Sequence, residues 1–121
     1  MATPHVLIAE DNELVSSAMR LLFEETGHRV STSATVVETV SVATADRVDL
    51  LLLDLGLADG DGLAALPQLS ARGAMPRVTV ALTGRDEPEV QARCLEAGCR
   101  EVLVKPVPTR VLLQRARELL R

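Results

Sequence analysis

Four apolar runs in the sequence each end in a residue able to take part in phosphate chemistry. Val6–Ala9 leads into Glu10 and Asp11, Leu50–Leu53 into Asp54, Val78–Leu82 into Thr83, and Val102–Val104 into Lys105. If the runs are parallel strands, these groups converge at one sheet edge, where open α/β sheets bind ligands. Three acids, a hydroxyl and an ammonium in one crevice imply a divalent cation and a phosphoryl group. Carboxylates about 4 Å apart repel by about 4 kcal/mol per pair at an effective dielectric near 20, so something positive must relieve them. Lys105 supplies one charge. A hard, oxygen-seeking Mg²⁺, which uses one or two carboxylates and keeps several waters, suits so small a site. Asp54 follows four leucines, so its backbone is buried while its carboxylate emerges, placed to attack phosphorus and form an aspartyl phosphate. The equatorial oxygens of that transition state need a metal, a lysine and a hydroxyl donor together. Thr83 fits the last role, with Gly84 keeping the approach open. Each residue alone has a plainer reading: Glu10 and Asp11 as helix-start acids, Thr83 as a loop threonine, Lys105 as a surface lysine. Their ordered occurrence at four strand ends is what those readings leave unexplained.

The elements that must position these groups alternate strand-like runs with helical stretches, the signature of βαβ units. A first helix follows Asn12, with apolar residues at Leu14, Val15, Ala18, Leu21 and Leu22, and closes at Gly27. An edge strand is expected over Arg29–Ser33. Thr35 and Glu38 have capping-box spacing, and Val36, Val37, Val40 and Ala43 repeat at helical period despite their β-branching. A third helix begins near Gly62, and Pro67 inside it removes one backbone donor, so a kinked or late-starting helix is expected. Asp86 is expected to cap the fourth, with Pro88 in its first turn and Gly98 after its end. Pro108 or Thr109 opens the fifth, striped by Leu112, Leu113, Ala116, Leu119 and Leu120. Five strands and five helices in strict alternation predict a three-layer, doubly wound α/β fold with right-handed crossovers. The flavodoxin-like strand order 2-1-3-4-5 places Glu10, Asp11 and Asp54 at the switch point between strands one and three.

Length and composition bound the rest. A chain of 121 residues, 47% hydrophobic, is expected to form one domain over residues 1–121. Its net charge of −4 lacks the basic balance that direct nucleic-acid contact needs, and Phe23 as the only aromatic leaves no stacking platform. No apolar stretch approaches the roughly 18 residues of a membrane span, and no signal peptide is expected. Cys94 and Cys99 lack metal or redox C-x-x-C spacing, so two reduced thiols in a cytoplasmic core are expected.

The residues at the strand ends also carry a family resemblance. Val6–Asn12, Asp49–Asp54, Asp61–Gly62, Ala81–Thr83, Glu96–Cys99 and Val104–Pro106 together resemble the receiver (CheY-like) domain of two-component response regulators, over essentially the whole chain. The resemblance implies Mg²⁺-dependent transfer of a phosphoryl group to Asp54 from a phosphohistidine on a sensor histidine kinase or histidine phosphotransfer protein. Phosphorylation would then switch interactions with an output partner that the sequence does not name. Glu10, Asp11, Asp54 and the backbone carbonyl of Gly56 would ligate Mg²⁺, while Thr83 and Lys105 would bind phosphoryl oxygens. The Lys105–Pro106 peptide is expected to be cis, as in the family. Such a domain is no enzyme toward an external substrate, catalysing only its own phosphorylation and dephosphorylation. Whether it forms a homodimer on phosphorylation is left open.

Three departures from the family pattern set further expectations. Val102 stands where the family has a Tyr or Phe that swings inward with the threonine, so an aromatic rotor is absent. Ala58 replaces a common proline, and with glycines nearby the Leu55–Asp61 loop is expected to be mobile. Gly56 and Arg85 occupy positions that in the family tune hydrolysis of the aspartyl phosphate, and since Gly56 has no side chain to position an attacking water, autodephosphorylation is expected not to be fast. A haloacid-dehalogenase-type phosphohydrolase would need a second acid at Gly56, and a flavin site would need a phosphate-cradling loop where Glu10 and Asp11 stand. The main alternative is a phosphate-independent pseudo-receiver that serves as a protein-binding module.

Overall fold

The apolar runs and a flanking edge segment form five strands, of which the central three are buried along their whole length. In the computed structural model, which describes residues 3–121, they are β1 (His5–Ala9), β2 (Arg29–Ser33), β3 (Leu50–Asp54), β4 (Val78–Thr83) and β5 (Glu101–Val104). All neighbours pair in parallel, in the order β2-β1-β3-β4-β5, with Ala9 beside Leu53 and Thr83 beside Val104. That register brings the polar ends of β1, β3, β4 and β5 to one edge.

Alternation along the strands divides the core. Leu7, Ala9, Leu51, Leu53 and Ala81 face α2 (Val36–Ala45), α3 (Ala65–Ala71) and α4 (Pro88–Ala97). Val6, Ile8, Leu50, Leu52, Val80 and Leu82 face α1 (Glu13–Glu25) and α5 (Thr109–Leu119). The three-layer doubly wound fold and its strand order are therefore as the residue pattern predicts.

Local chemistry sets the helix ends. Asn12 caps α1 by accepting the Val15 N–H, and Thr35 caps α2 by accepting the Glu38 N–H. Pro67 falls in the first turn of α3, which is preceded by a 3₁₀ turn over Gly62–Ala64, giving the late start expected of that proline. Gly98 ends α4 at φ +113°, a left-handed conformation that favours glycine.

Three expectations need correction. Asp86 does not cap α4: Pro88 takes the first helical position, so Glu87 is the cap residue, and it makes no side-chain cap bond. Most of the apolar residues expected on α1 do not form its buried face, Leu22 being half-buried. Leu14 is 83% exposed, Val15, Ala18 and Leu21 are exposed too, and Ser16 and Phe23 are buried instead. Phe23 packs against the sheet with Met19 partly buried beside it, while Leu14 and Leu21 face outward. The Leu55–Asp61 loop is also pinned rather than free. Gly56–Leu57 pairs antiparallel with Gly60–Asp61, Leu57 is buried, and the Ala58 N–H donates to the Ala34 carbonyl.

Candidate functional site

The strand ends place Glu10, Asp11 and Asp54 with carboxylate oxygens within 4.8 Å of one another. Glu10 and Asp54 are buried, whereas Asp11 is exposed. Lys105 reaches between the two buried acids, donating to Asp54 Oδ2 at 2.6 Å and to Glu10 Oε1 at 3.1 Å. Its side chain is 33% exposed, against 11% for Asp54 and 3% for Glu10, so the cation sits at the mouth and the acids lie behind it. The Lys105–Pro106 peptide is cis.

These contacts raise the pKa of both Glu10 and Lys105, from different causes. Burial raises the Glu10 pKa, and the neighbouring Asp54 carboxyl raises it further, outweighing the Asn12 N–H and Lys105. Burial works to lower the Lys105 pKa, but hydrogen bonds to Asp54 and Glu10 outweigh it, so Lys105 is held above the ordinary lysine value. Two neighbouring acids with one ammonium leave net negative charge, and all-oxygen donors at this spacing match a hard divalent cation such as Mg²⁺.

The other Asp54 oxygen, Oδ1, accepts the Gly56 N–H at 2.9 Å. Thr83 is buried at the end of β4, and its Oγ1 accepts the Arg85 N–H at 3.1 Å, which leaves the hydroxyl hydrogen free to donate elsewhere. Asp54, Gly56, Asp61, Thr83, Arg85 and Arg93 line one cleft of about 390 Å³. A larger groove of about 570 Å³ adjoins the other side, with Glu10 and Lys105 at its edge and Val15, Ala18, Pro106 and Val107 among its apolar walls. Val102 lies partly buried against the core on the α4 side.

Every residue singled out from the sequence thus stands at this edge: Glu10, Asp11 and Asp54 clustered, Lys105 bonded to two of them, and Gly56 and Thr83 lining the cleft with Asp54. Three further residues shape the site. Gly62 passes so close beneath Asp54 that a Cβ there would lie 2.2 Å from the Asp54 carbonyl oxygen. Asp59 accepts the Val36 and Val37 N–H groups at 2.6 and 3.2 Å, tying the loop after β3 to the start of α2. Arg93 on α4 pairs with Asp61 in the same loop. The Asp61–Gly62 dipeptide signalled the first; nothing local in sequence marks Asp59 or Arg93, because each acts on an element distant along the chain.

Comparison with known proteins agrees with this geometry. The family model described as "Response regulator receiver domain" matches residues 6–117. The chain is 34% identical over 117 residues to the KDP operon transcriptional regulatory protein KdpE of Escherichia coli, covering 97% of this chain and 51% of that protein. It is 32% identical over 118 residues to the transcriptional regulatory protein AfsQ1 of Streptomyces coelicolor, covering 98% of this chain and 52% of that one. The chain therefore spans about half the length of the curated relatives it matches. Among solved structures, a CheY-like response regulator receiver domain protein from Methanospirillum hungatei superposes with a TM-score of 0.89 at 27% identity, covering 98% of this chain and 94% of that one. The receiver domain of a sensor histidine kinase from Pseudomonas aeruginosa superposes with a TM-score of 0.86 at 26% identity, covering 98% of each chain. That structure holds a magnesium ion coordinated in its active-site cleft.

Proposed function

Because the chain belongs to the response regulator receiver domain family of two-component systems, we propose that residues 1–121 work as one phosphoacceptor domain with Asp54 as the acceptor. The observation that carries the reading is the Lys105 ammonium 2.6 Å from Asp54 Oδ2, within a group of three carboxylates at the sheet edge.

An Asp54 carboxylate oxygen attacks the phosphorus of a phosphohistidine. A P–O bond forms, the P–N bond breaks, and the departing imidazole nitrogen keeps the electron pair and takes up a proton. The Gly56 N–H and Lys105 orient the Asp54 carboxylate before attack. As charge builds on the equatorial oxygens, Lys105 meets it as a cation and the Thr83 hydroxyl donates a hydrogen bond. Glu10, Asp11, Asp54 and the Gly56 carbonyl are assigned to hold Mg²⁺, which when bound supplies positive charge for both the acids and the phosphoryl oxygens. Gly56 presents no side chain to align a water, so the acyl phosphate is expected to outlast a half-life of seconds. No external substrate is turned over.

The phosphodonor is proposed to be a histidine kinase or histidine phosphotransfer protein. The outward apolar side of α1, beside the apolar groove that ends at Lys105, supports docking there. The output partner is a further domain or protein, in keeping with relatives about twice as long. On this reading the domain works in the cytoplasm; among the described residues no helix is long and apolar enough to cross a membrane. Val102 is the one feature that favours a phosphate-independent binding module, since it removes the usual aromatic rotor; the complete Asp54, Thr83 and Lys105 set counts against it.

Phosphoramidate, a small donor with a P–N bond, tests the chemistry. In ³¹P NMR with Mg²⁺, an acyl phosphate resonance is expected with the wild-type chain and none with Asp54→Asn. Equal signals, or none from either, would overturn the proposal.

A further inference from the structure

The cleft that holds Asp54 is walled by two separate elements, the loop after β3 and helix α4, and one ion pair joins them. Arg93 on α4 bonds Asp61 Oδ2, while Asp61 Oδ1 accepts the Leu63 N–H and so caps the 3₁₀ turn leading to α3. Both partners line the cleft beside Asp54 and Thr83. Arg85 lines it too, but its carboxylate partner is Glu87 on its own segment, so that pair joins no second element.

We propose that the Arg93–Asp61 pair is the device through which phosphoryl occupancy of Asp54 reaches α4. The inference rests on the proposed role of Asp54 as phosphoacceptor and goes beyond it. A phosphoryl group brings about −2 charge and three strong acceptor oxygens into the cleft. It attracts the Arg93 guanidinium and repels the Asp61 carboxylate, so both effects weaken the pair in the same direction. Arginine is suited to the exchange, because its planar fork binds carboxylate and phosphate alike. The helix at the other end is lightly held. Val90 and Cys94 are its buried residues, and its N-terminus has no side-chain cap bond. With Val102 in place of an aromatic, Arg93 provides a route from the cleft to α4 that needs no ring rotation.

An exposed pair contributes little to overall stability, and the plain alternative is a surface contact that phosphorylation ignores. Hydrogen exchange read by mass spectrometry separates the two. The full chain would be followed with Mg²⁺, with and without beryllofluoride as the phosphoryl analogue, in wild type, Arg93→Gln and Asp61→Asn. D61N removes the charge but keeps an oxygen for the Leu63 N–H. In wild type, beryllofluoride is expected to speed exchange across residues 88–97 by about two- to fivefold, the range an exposed ion pair can set for a local opening. R93Q and D61N should show that faster exchange without beryllofluoride, and little further change with it. Variants that accept phosphate from acetyl phosphate like wild type and keep the full response of α4 would overturn this inference alone. Failure of wild type to take up phosphate would overturn the phosphoacceptor reading beneath it.

Discussion

Lys105 is where charge, burial and chemistry meet. Its ammonium bonds the two buried acids, so Lys105→Ala leaves Glu10 and Asp54 facing each other without a cation. Unpaired buried polar groups cost about 1–3 kcal/mol each, and a loss of that order is expected in urea unfolding of the metal-free protein, partly recovered by Mg²⁺. Asp11→Asn should act oppositely. Asp11 is exposed, so removing its charge relieves repulsion at little cost in packing, and the metal-free protein should gain up to about 1 kcal/mol. Asp54→Ala is less clean, because it also deletes the acceptor for Lys105 and for the Gly56 N–H. A D11N variant less stable than wild type at low ionic strength would remove the crowding argument. Carboxylates, hydroxyl and lysine were all legible in sequence, because each closes an apolar run and the strand period fixes where it emerges.

Elements were less legible where one part of the chain acts on another. The α1 periodicity marked a helix correctly but not its buried side, where Ser16 and Phe23 face the sheet while Leu14 and Leu21 are exposed. Glycines in the loop after β3 suggested freedom, yet Asp59 and Asp61 use their carboxylates to tie it to α2 and α4, contacts that sequence spacing cannot reveal. Gly62 and Gly84 make the contrast testable. A Cβ at Gly62 would sit 2.2 Å from the Asp54 carbonyl oxygen, so Gly62→Ala must displace the backbone that carries Asp54, at about 1–3 kcal/mol. A Cβ at Gly84 would meet nothing within 4 Å, and Gly84→Ala should leave the melting temperature unchanged. Thermal unfolding of the two variants side by side checks this; equal losses would show that the close approach beneath Asp54 is not real.

At the scale of the whole molecule, strand order was the most secure expectation, because strict alternation with buried central strands leaves few arrangements of this size. Its consequence is that opposed ionisations share one edge, and stability should depend on pH accordingly. The folded state holds the Glu10 proton more tightly than the unfolded chain does. Stability of the metal-free protein should therefore fall as pH rises from the ordinary glutamate value of 4.5 through the raised folded value. Asp59 is lowered by the Val36 N–H and contributes the other way, stabilising above its ordinary 3.8 and losing that as pH falls through its folded value. Glu10→Gln should flatten the fall above pH 4.5, and parallel wild-type and E10Q profiles would contradict the assignment. The most direct test of the central claim, that Asp54 accepts a phosphoryl group, is intact-mass spectrometry after incubation with acetyl phosphate and Mg²⁺. A single phosphoryl adduct on wild type, absent from Asp54→Asn and absent without Mg²⁺, is the predicted result; an unmodified wild-type chain, or an adduct that persists in D54N, would contradict it.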